Sequence, residues 1–277
     1  MRAFGVLLCC ALAACSASRS ALRYVPAEQA AWFKFGDDLP TEGRLEIPGG
    51  RAAAMQIAMN DFVSPGVHLP SGPSRADICV HQPQSWDVET APRGEETLLV
   101  RISLSPGARY RWAPPQDMAF TFTVDLRSGR LQQKDPSQAP PELPAEGRLH
   151  VPGNVAAAIQ LAMEDFLPMN ARPPAGARAE EACLYQRPSY DVTAAPGPEG
   201  VVQVRFAVDE AACPTQTLRG SSPGLALMDM TVYAIEIRTM RILAIGSHAH
   251  LRLTREIDHG ARPAKIDTGM KCVLDHG

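Results

Sequence analysis

Residues 39–50 read LPTEGRLEIPGG, and residues 143–154 read LPAEGRLHVPGN. Eight of the twelve positions are identical, at an offset of 104 (Leu143 against Leu39). The match runs on. Residues 52–62 (AAAMQIAMNDF) align with 156–166 (AAAIQLAMEDF), and the offset holds at Cys79/Cys183, Gln82/Gln186, Ser85/Ser189, Trp86/Tyr190, Asp87/Asp191 and Arg101/Arg205. Further on it becomes 111, with Val124 against Ile235, so copy two carries seven more residues (111 − 104) between Arg205 and Ile235. Self-similarity at a fixed period over this length marks a tandem duplication.

Each copy spells the same elements. Residues 44–47 and 148–151 read as short strands stopped by Pro-Gly. The Ala-rich segments contain no internal Gly or Pro, and Met55, Met59 and Phe62 fall on one helical stripe. Asn154 stands where an N-cap belongs, with Gly50 as its weaker counterpart. Residues 79–88 then 97–104, and 183–193 then 201–208, are β-rich runs joined by the turn sequences TAPRGEE and AAPGPEG. A third run, 119–126 or 230–237, alternates with period two. In copy one it closes in Arg127-Ser128-Gly129-Arg130, a hairpin turn into Leu131. The expected fold is α+β: two tandem β-α-β-β-β units with a short final strand, each one helix packed on a curled antiparallel sheet.

The boundaries follow. Residues 1–14 form a leader, 15–37 a tether, 38–136 the first unit, 137–145 a Pro-rich connector, 146–246 the second unit and 247–277 a tail. The join QQKDPSQAPPELPA (132–145) holds four prolines, which favour an extended, semi-rigid spacer. At about 100 residues each unit is long enough to bury a core of its own.

Composition bounds the function. The chain has 277 residues, 45% of them hydrophobic, and a net charge of −3, which excludes the basic footprint of a nucleic-acid binder. Met1-Arg2 and the twelve apolar residues 3–14 have the order of a secretory signal and are too short to span a bilayer. The segment ends Leu12-Ala13-Ala14-Cys15-Ser16, which resembles the lipobox of bacterial lipoproteins. That resemblance implies cleavage before Cys15, acylation (palmitate among the chains) of its sulfur and amine, and an effectively permanent anchor in the lipid bilayer of the cell envelope. The helix followed by three antiparallel strands, with the AAAIQLAMEDF segment and the VDL-x-SG-x-L terminus, resembles cystatin-like and PepSY-like families. Copy two departs from that terminus, with Thr239-Met240 in place of Ser-Gly. Those families imply binding, or inhibition of peptidases, rather than catalysis.

Export also orients the cysteines. Cys79, Cys183, Cys213 and Cys272 remain in the mature body, an even number in an oxidising compartment. A hairpin of 183–193 with 201–208 brings Cys183 close to Cys213, where a bridge pins the insertion that starts at Asp209. Cys79 is left to pair with Cys272, folding the tail onto copy one. Among the carboxylates, Asp61 and Asp165 sit at helix C-termini, where the dipole disfavours them and another partner must hold them. Asp87 and Asp191 are read as local hydrogen-bond or ion-pair partners, with Arg44, Arg148, Arg101 and Arg205 as candidates, ahead of an acid–base pair across the copies.

No nucleophile elbow, phosphate loop or zinc-protease motif occurs, so neither a catalytic centre nor a cofactor is expected. His248 and His250, with Asp258 and His259 nearby, are a thin basis for a zinc or copper site, and no metal is assigned. Arg109-Tyr110-Arg111-Trp112, in the loop after residue 104, combines the residue types enriched in binding hot spots. The functional expectation is a lipid-anchored, non-catalytic binding or scaffolding module with a protein partner in the envelope, on the periplasmic or extracellular side. The alternative is a peptidase-inhibitor or immunity-type protein that blocks an enzyme through its hairpin loops.

Overall fold

The structure, a computed structural model, describes residues 39–63, 80–106, 119–135, 143–198, 200–214, 230–247 and 250–253. Repeat one comprises β1 (Leu45–Ile47), α1 (Gly49–Phe62), a 3₁₀ turn (Pro83–Ser85), β2 (Trp86–Pro92), β3 (Thr97–Leu104), β4 (Ala119–Asp125) and β5 (Arg130–Asp135). Repeat two comprises β6 (Leu149–Val151), α2 (Gly153–Phe166), the one-turn α3 (Ala179–Ala182) and two 3₁₀ turns (Cys183–Tyr185, Arg187–Ser189). It continues through β7 (Tyr190–Pro196), β8 (Val201–Val208), β9 (Met230–Glu236), β10 (Arg241–Ser247) and β11 (His250–Leu253). The α+β class and the two antiparallel sheets are as the sequence predicts.

The strand order holds the unexpected feature. One sheet runs β5-β4-β3-β2-β6 and the other β1-β7-β8-β9-β10-β11. The first strand of each repeat therefore lies in the sheet of the other. Leu45, Glu46 and Ile47 pair with Ala194, Thr193 and Val192, while Leu149, His150 and Val151 pair with Thr90, Glu89 and Val88. The cause is local. One residue, Pro48 or Pro152, separates strand from helix, so the strand must follow wherever the helix begins. The C-terminal end of α1 packs on its own sheet, with Phe62 edge-on to Trp86 at 4.7 Å and against Phe120 at 4.6 Å. In α2, Phe166 meets Tyr190 at 4.9 Å and stacks on Phe206 at 4.7 Å. A 14-residue helix is about 21 Å long, and its N-terminal end reaches the neighbouring repeat.

One core results rather than two. A single buried cluster takes Ile47, Met55, Met59, Val88, Val100 and Phe122 from repeat one with Val151, Ile159, Met163, Val192 and Phe206 from repeat two. Three consecutive alanines in each helix, 52–54 and 156–158, are buried. A helix lying on a sheet alone exposes part of every turn. Burial around the whole circumference shows that each helix start is enclosed by its own sheet, the other helix and the other repeat's 3₁₀ turn. Units of about 100 residues do not, after all, keep separate cores.

Smaller expectations shift as well. The second strands begin at Trp86 and Tyr190, not at Cys79 and Cys183, because 3₁₀ turns carrying Pro83 and Pro188 precede them. Proline has no N–H for a sheet ladder but suits an early helical position. The hairpin turn after β4 forms as expected, with Gly129 at φ 63° and the Ser128 N–H donating to Asp125 Oδ1 at 2.8 Å. Copy two places Met240 in the same left-handed region, at φ 50°. The final strand is short in neither copy: β5 has six residues and takes in the start of the segment read as the join, β10 has seven, and β11 extends the sheet into the segment expected as tail.

Candidate functional site: the junction between the repeats

The helix starts are capped from the opposite repeat. The Gly49 N–H donates to Asp191 Oδ1 at 3.0 Å, and the Gly153 N–H donates to Asp87 Oδ1 at 2.8 Å. A helix N-terminus leaves its first N–H groups without intrahelical partners and carries partial positive charge, so a carboxylate there satisfies both needs. Asn154 is not the N-cap: the helix opens at Gly153, and Asn154 Oδ1 accepts from the Val155 N–H at 2.9 Å instead. Nor do the two aspartates form an acid–base pair across the copies.

The same two glycines allow the repeats to meet. A Cβ at Gly49 would stand 2.3 Å from the Pro188 carbonyl oxygen and 2.6 Å from that of Tyr190. At Gly153 it would stand 2.5 Å from the Gln84 carbonyl oxygen and 2.9 Å from that of Trp86. The Pro-Gly read as a strand stop is thus a backbone contact surface between repeats, a role that only glycine can fill.

Beside the caps, each exchanged strand completes a charged row. In the first sheet Glu89 lies between His150 and Arg101 in register, 3.7 Å from Arg101 and 4.0 Å from Arg148. His150 also stands 3.9 Å from Asp87. In the second sheet the row is Glu46, Thr193, Arg205, with Arg44 3.9 Å from Glu46. The acid has moved from the receiving strand to the incoming one. Arg44 and Arg148 also donate to the carbonyls of Leu39 and Pro40, or of Leu143 and Pro144, closing the turn that precedes each exchanged strand. They do not pair with Asp87 or Asp191 as the sequence reading offered.

The helices meet through a polar seam. Gln160 Nε2 donates to Asn60 Oδ1 at 2.7 Å, and Gln56 Nε2 to Glu164 Oε2 at 3.4 Å. Glu164 also accepts from the Arg187 guanidinium at 3.0 Å, whose Nε donates to the Leu167 carbonyl at the end of α2. Burial lowers the Arg187 pKa, opposed by Glu164. Copy one has Pro83 here and no such pair. Asp165 has the partner its helix-end position demands: the Tyr233 hydroxyl donates to it at 3.1 Å. Burial, then the nearby carboxylate, raises the Tyr233 pKa far above the tyrosine range.

Of the assigned cysteines, Cys183 and Cys213 are joined as predicted, with Cα atoms 5.6 Å apart. The bridge anchors residues 209–213, a turn in which Cys213 and Ala212 both donate to the Asp209 carbonyl. Cys15, Cys79, Cys272, Arg109, Tyr110, Arg111, Trp112, His248, Asp258 and His259 lie outside the described residues. His250 opens β11 and pairs with Ser247. Among the described residues, no group of three or more metal-ligating side chains gathers, and no helix is long and apolar enough to cross a membrane. Sequence reasoning missed Gly49 and Gly153, although their exact duplication behind Pro48 and Pro152 was the available signal.

No protein-family model, curated protein or solved structure matches this chain.

Proposed function

We propose that this protein is a lipid-anchored component of a bacterial cell envelope that binds or scaffolds a partner protein, presenting two different loops from one intertwined body. The strand exchange carries the reading. It joins the repeats in a single core, and the segments in which the copies diverge leave from beside it. The segment after β3 leaves with the Ser105 N–H on the Ser85 carbonyl, and the segment after β8 leaves with the Asp209 N–H on the Ser189 carbonyl, both at 2.9 Å. Those carbonyls adjoin Gln84 and Pro188, which cradle the opposite helix starts. Each divergent loop is therefore rooted at the junction, one holding Arg109 to Trp112, the other pinned by Cys183–Cys213. Variable loops on a rigid frame are where binding residues concentrate.

The lipobox at Cys15 supports the anchor and the compartment. The test uses the full chain in envelope fractions. Cys15→Ala should move the protein from membrane to soluble fraction, and replacing residues 109–112 with Gly-Ser should abolish capture of a partner that the unaltered chain retains. A Cys15→Ala chain that stays with the membrane would overturn the anchor. Capture indifferent to the loop would overturn its role, and a peptidase or toxin as sole partner would turn the reading to enzyme blocking.

A further inference from the structure

Met169 differs from the methionines of the helices. Met55, Met59 and Met163 are buried, whereas Met169 is 52% exposed. It stands just past the end of α2, in a turn closed by the Ala171 N–H on the Pro168 carbonyl at 2.9 Å. Its Sδ accepts a hydrogen bond from Arg187 Nη1. Arg187 itself is only 7% exposed. A solvent-facing sulfur is thus tied to a buried cation.

That cation is short of acceptors. A guanidinium carries five N–H donors. Nε donates to the Leu167 carbonyl at 2.8 Å and Nη2 to Glu164 Oε2 at 3.0 Å. A third N–H goes to the thioether, a weak acceptor, and the other two meet none among the described residues. Unmet donors on a buried charge are costly, and a stronger acceptor in place of the sulfur relieves that cost. Repeat one forms the same 3₁₀ turn with Pro83 and Asn60 where repeat two has Arg187 and Glu164. The frame does not need this cluster.

We propose that Met169 is a site of reversible oxidation, at which hydrogen peroxide converts the thioether to a sulfoxide that Arg187 then holds. A sulfur lone pair attacks one peroxide oxygen. The S–O bond forms as the O–O bond breaks, sulfur gives up two electrons, and the departing hydroxide leaves as water with the proton of the attacked oxygen. One of the two sulfur lone pairs is occupied by the Arg187 N–H, so oxygen enters on the other and a single epimer results. Rotation about the Cγ–Sδ bond brings the new oxygen to the guanidinium. The change reaches the junction, because Arg187 also holds Glu164, which accepts from Gln56 of α1 at 3.4 Å. Arg187 also precedes Pro188, whose carbonyl receives Gly49.

The experiment treats the unaltered full chain with hydrogen peroxide, folded or unfolded in urea, and quantifies each methionine peptide by mass spectrometry. The epimers are told apart with the two methionine sulfoxide reductases, each of which reverses only one. In the folded chain Met169 should oxidise at least about tenfold faster than Met163, with one epimer in about tenfold excess. Both differences should vanish in urea. Oxidation should also slow hydrogen exchange at the Arg187 side-chain N–H groups of the folded protein. Arg187→Gln should return the epimers to near equality, which separates the guanidinium's role from exposure alone. Equal epimers in the folded, unaltered chain overturn the proposal, as does an excess that survives Arg187→Gln or an Arg187 exchange rate that oxidation leaves unchanged. Should Arg187→Gln fail to fold, the epimer ratio and the exchange rate of the unaltered chain decide the matter.

Discussion

Asp87 accepts the N–H of Gly153 at 2.8 Å across 66 residues of chain, and Asp191 does the same for Gly49 across 142. Each repeat thereby stabilises the helix of the other. Replacing an N-cap carboxylate with alanine costs about 1 kcal/mol. Asp87→Ala and Asp191→Ala should each lower stability in urea by about that much. They act on different helices, so the double variant should lose about 2 kcal/mol. Asparagine, which can still accept the hydrogen bond but carries no charge, should restore most of the loss at either position.

Glycine to alanine inside a helix ordinarily gains up to about 1 kcal/mol. At Gly49 and Gly153 the sign should reverse, because the new Cβ would stand 2.3 Å from the Pro188 oxygen or 2.5 Å from the Gln84 oxygen. These are backbone atoms, so the helix must withdraw and its cap must lengthen. Each substitution should destabilise by about 2–3 kcal/mol in chemical denaturation, within the range for overpacking a tight site. Gly94→Ala, where a Cβ would meet nothing within 4 Å, should stay within about 0.5 kcal/mol of the unaltered chain.

These glycines mark the limit of what the sequence discloses. The helix at 49–62, the hairpin turn at Gly129 and the Cys183–Cys213 bridge all follow from local pattern or from one hairpin, and all are present. The exchange of β1 and β6 does not follow, for a reason intrinsic to duplication. Val88 to Thr90 and Val192 to Ala194 offer three-residue edges of nearly the same character, so periodicity cannot say which of them Leu45–Ile47 will join. The caps were hidden likewise, because their donors and acceptors lie in different copies. What could have been read is the movement of the acid: Glu46 against His150, and Glu89 against Thr193, are reciprocal differences at positions that prove to be cross-strand neighbours.

Tyr233 supplies a pH dependence with a defined sign. Burial and the Asp165 carboxylate both oppose ionisation, so its folded pKa lies above its unfolded one. The contribution is then fully present below the ordinary tyrosine pKa of about 10 and falls as pH rises beyond it, since only the unfolded chain releases the proton. Ultraviolet titration should show the Tyr233 phenol ionising only on unfolding. Tyr233→Phe should remove that signal and flatten the alkaline fall in stability, at some cost near neutrality from the lost hydrogen bond to Asp165.

The bridge between Cys183 and Cys213 closes a loop with a sequence separation of 30. On the chain-entropy argument that loop contributes about 3.5 kcal/mol by restricting the unfolded chain. The folded side should change little on its removal, because residues 209–213 keep a turn of their own: Ala211 donates to Asp209 Oδ1 at 2.9 Å and Cys213 to the Asp209 carbonyl at 2.8 Å. A Cys183→Ser, Cys213→Ser chain should therefore fold to the same structure with a lower urea midpoint. Its m-value should rise, since the unbridged unfolded chain exposes more surface. A loss of native structure around Asp209, seen as exchange of the Cys213-position amide at the rate of open coil, would instead place the bridge's contribution in the folded state.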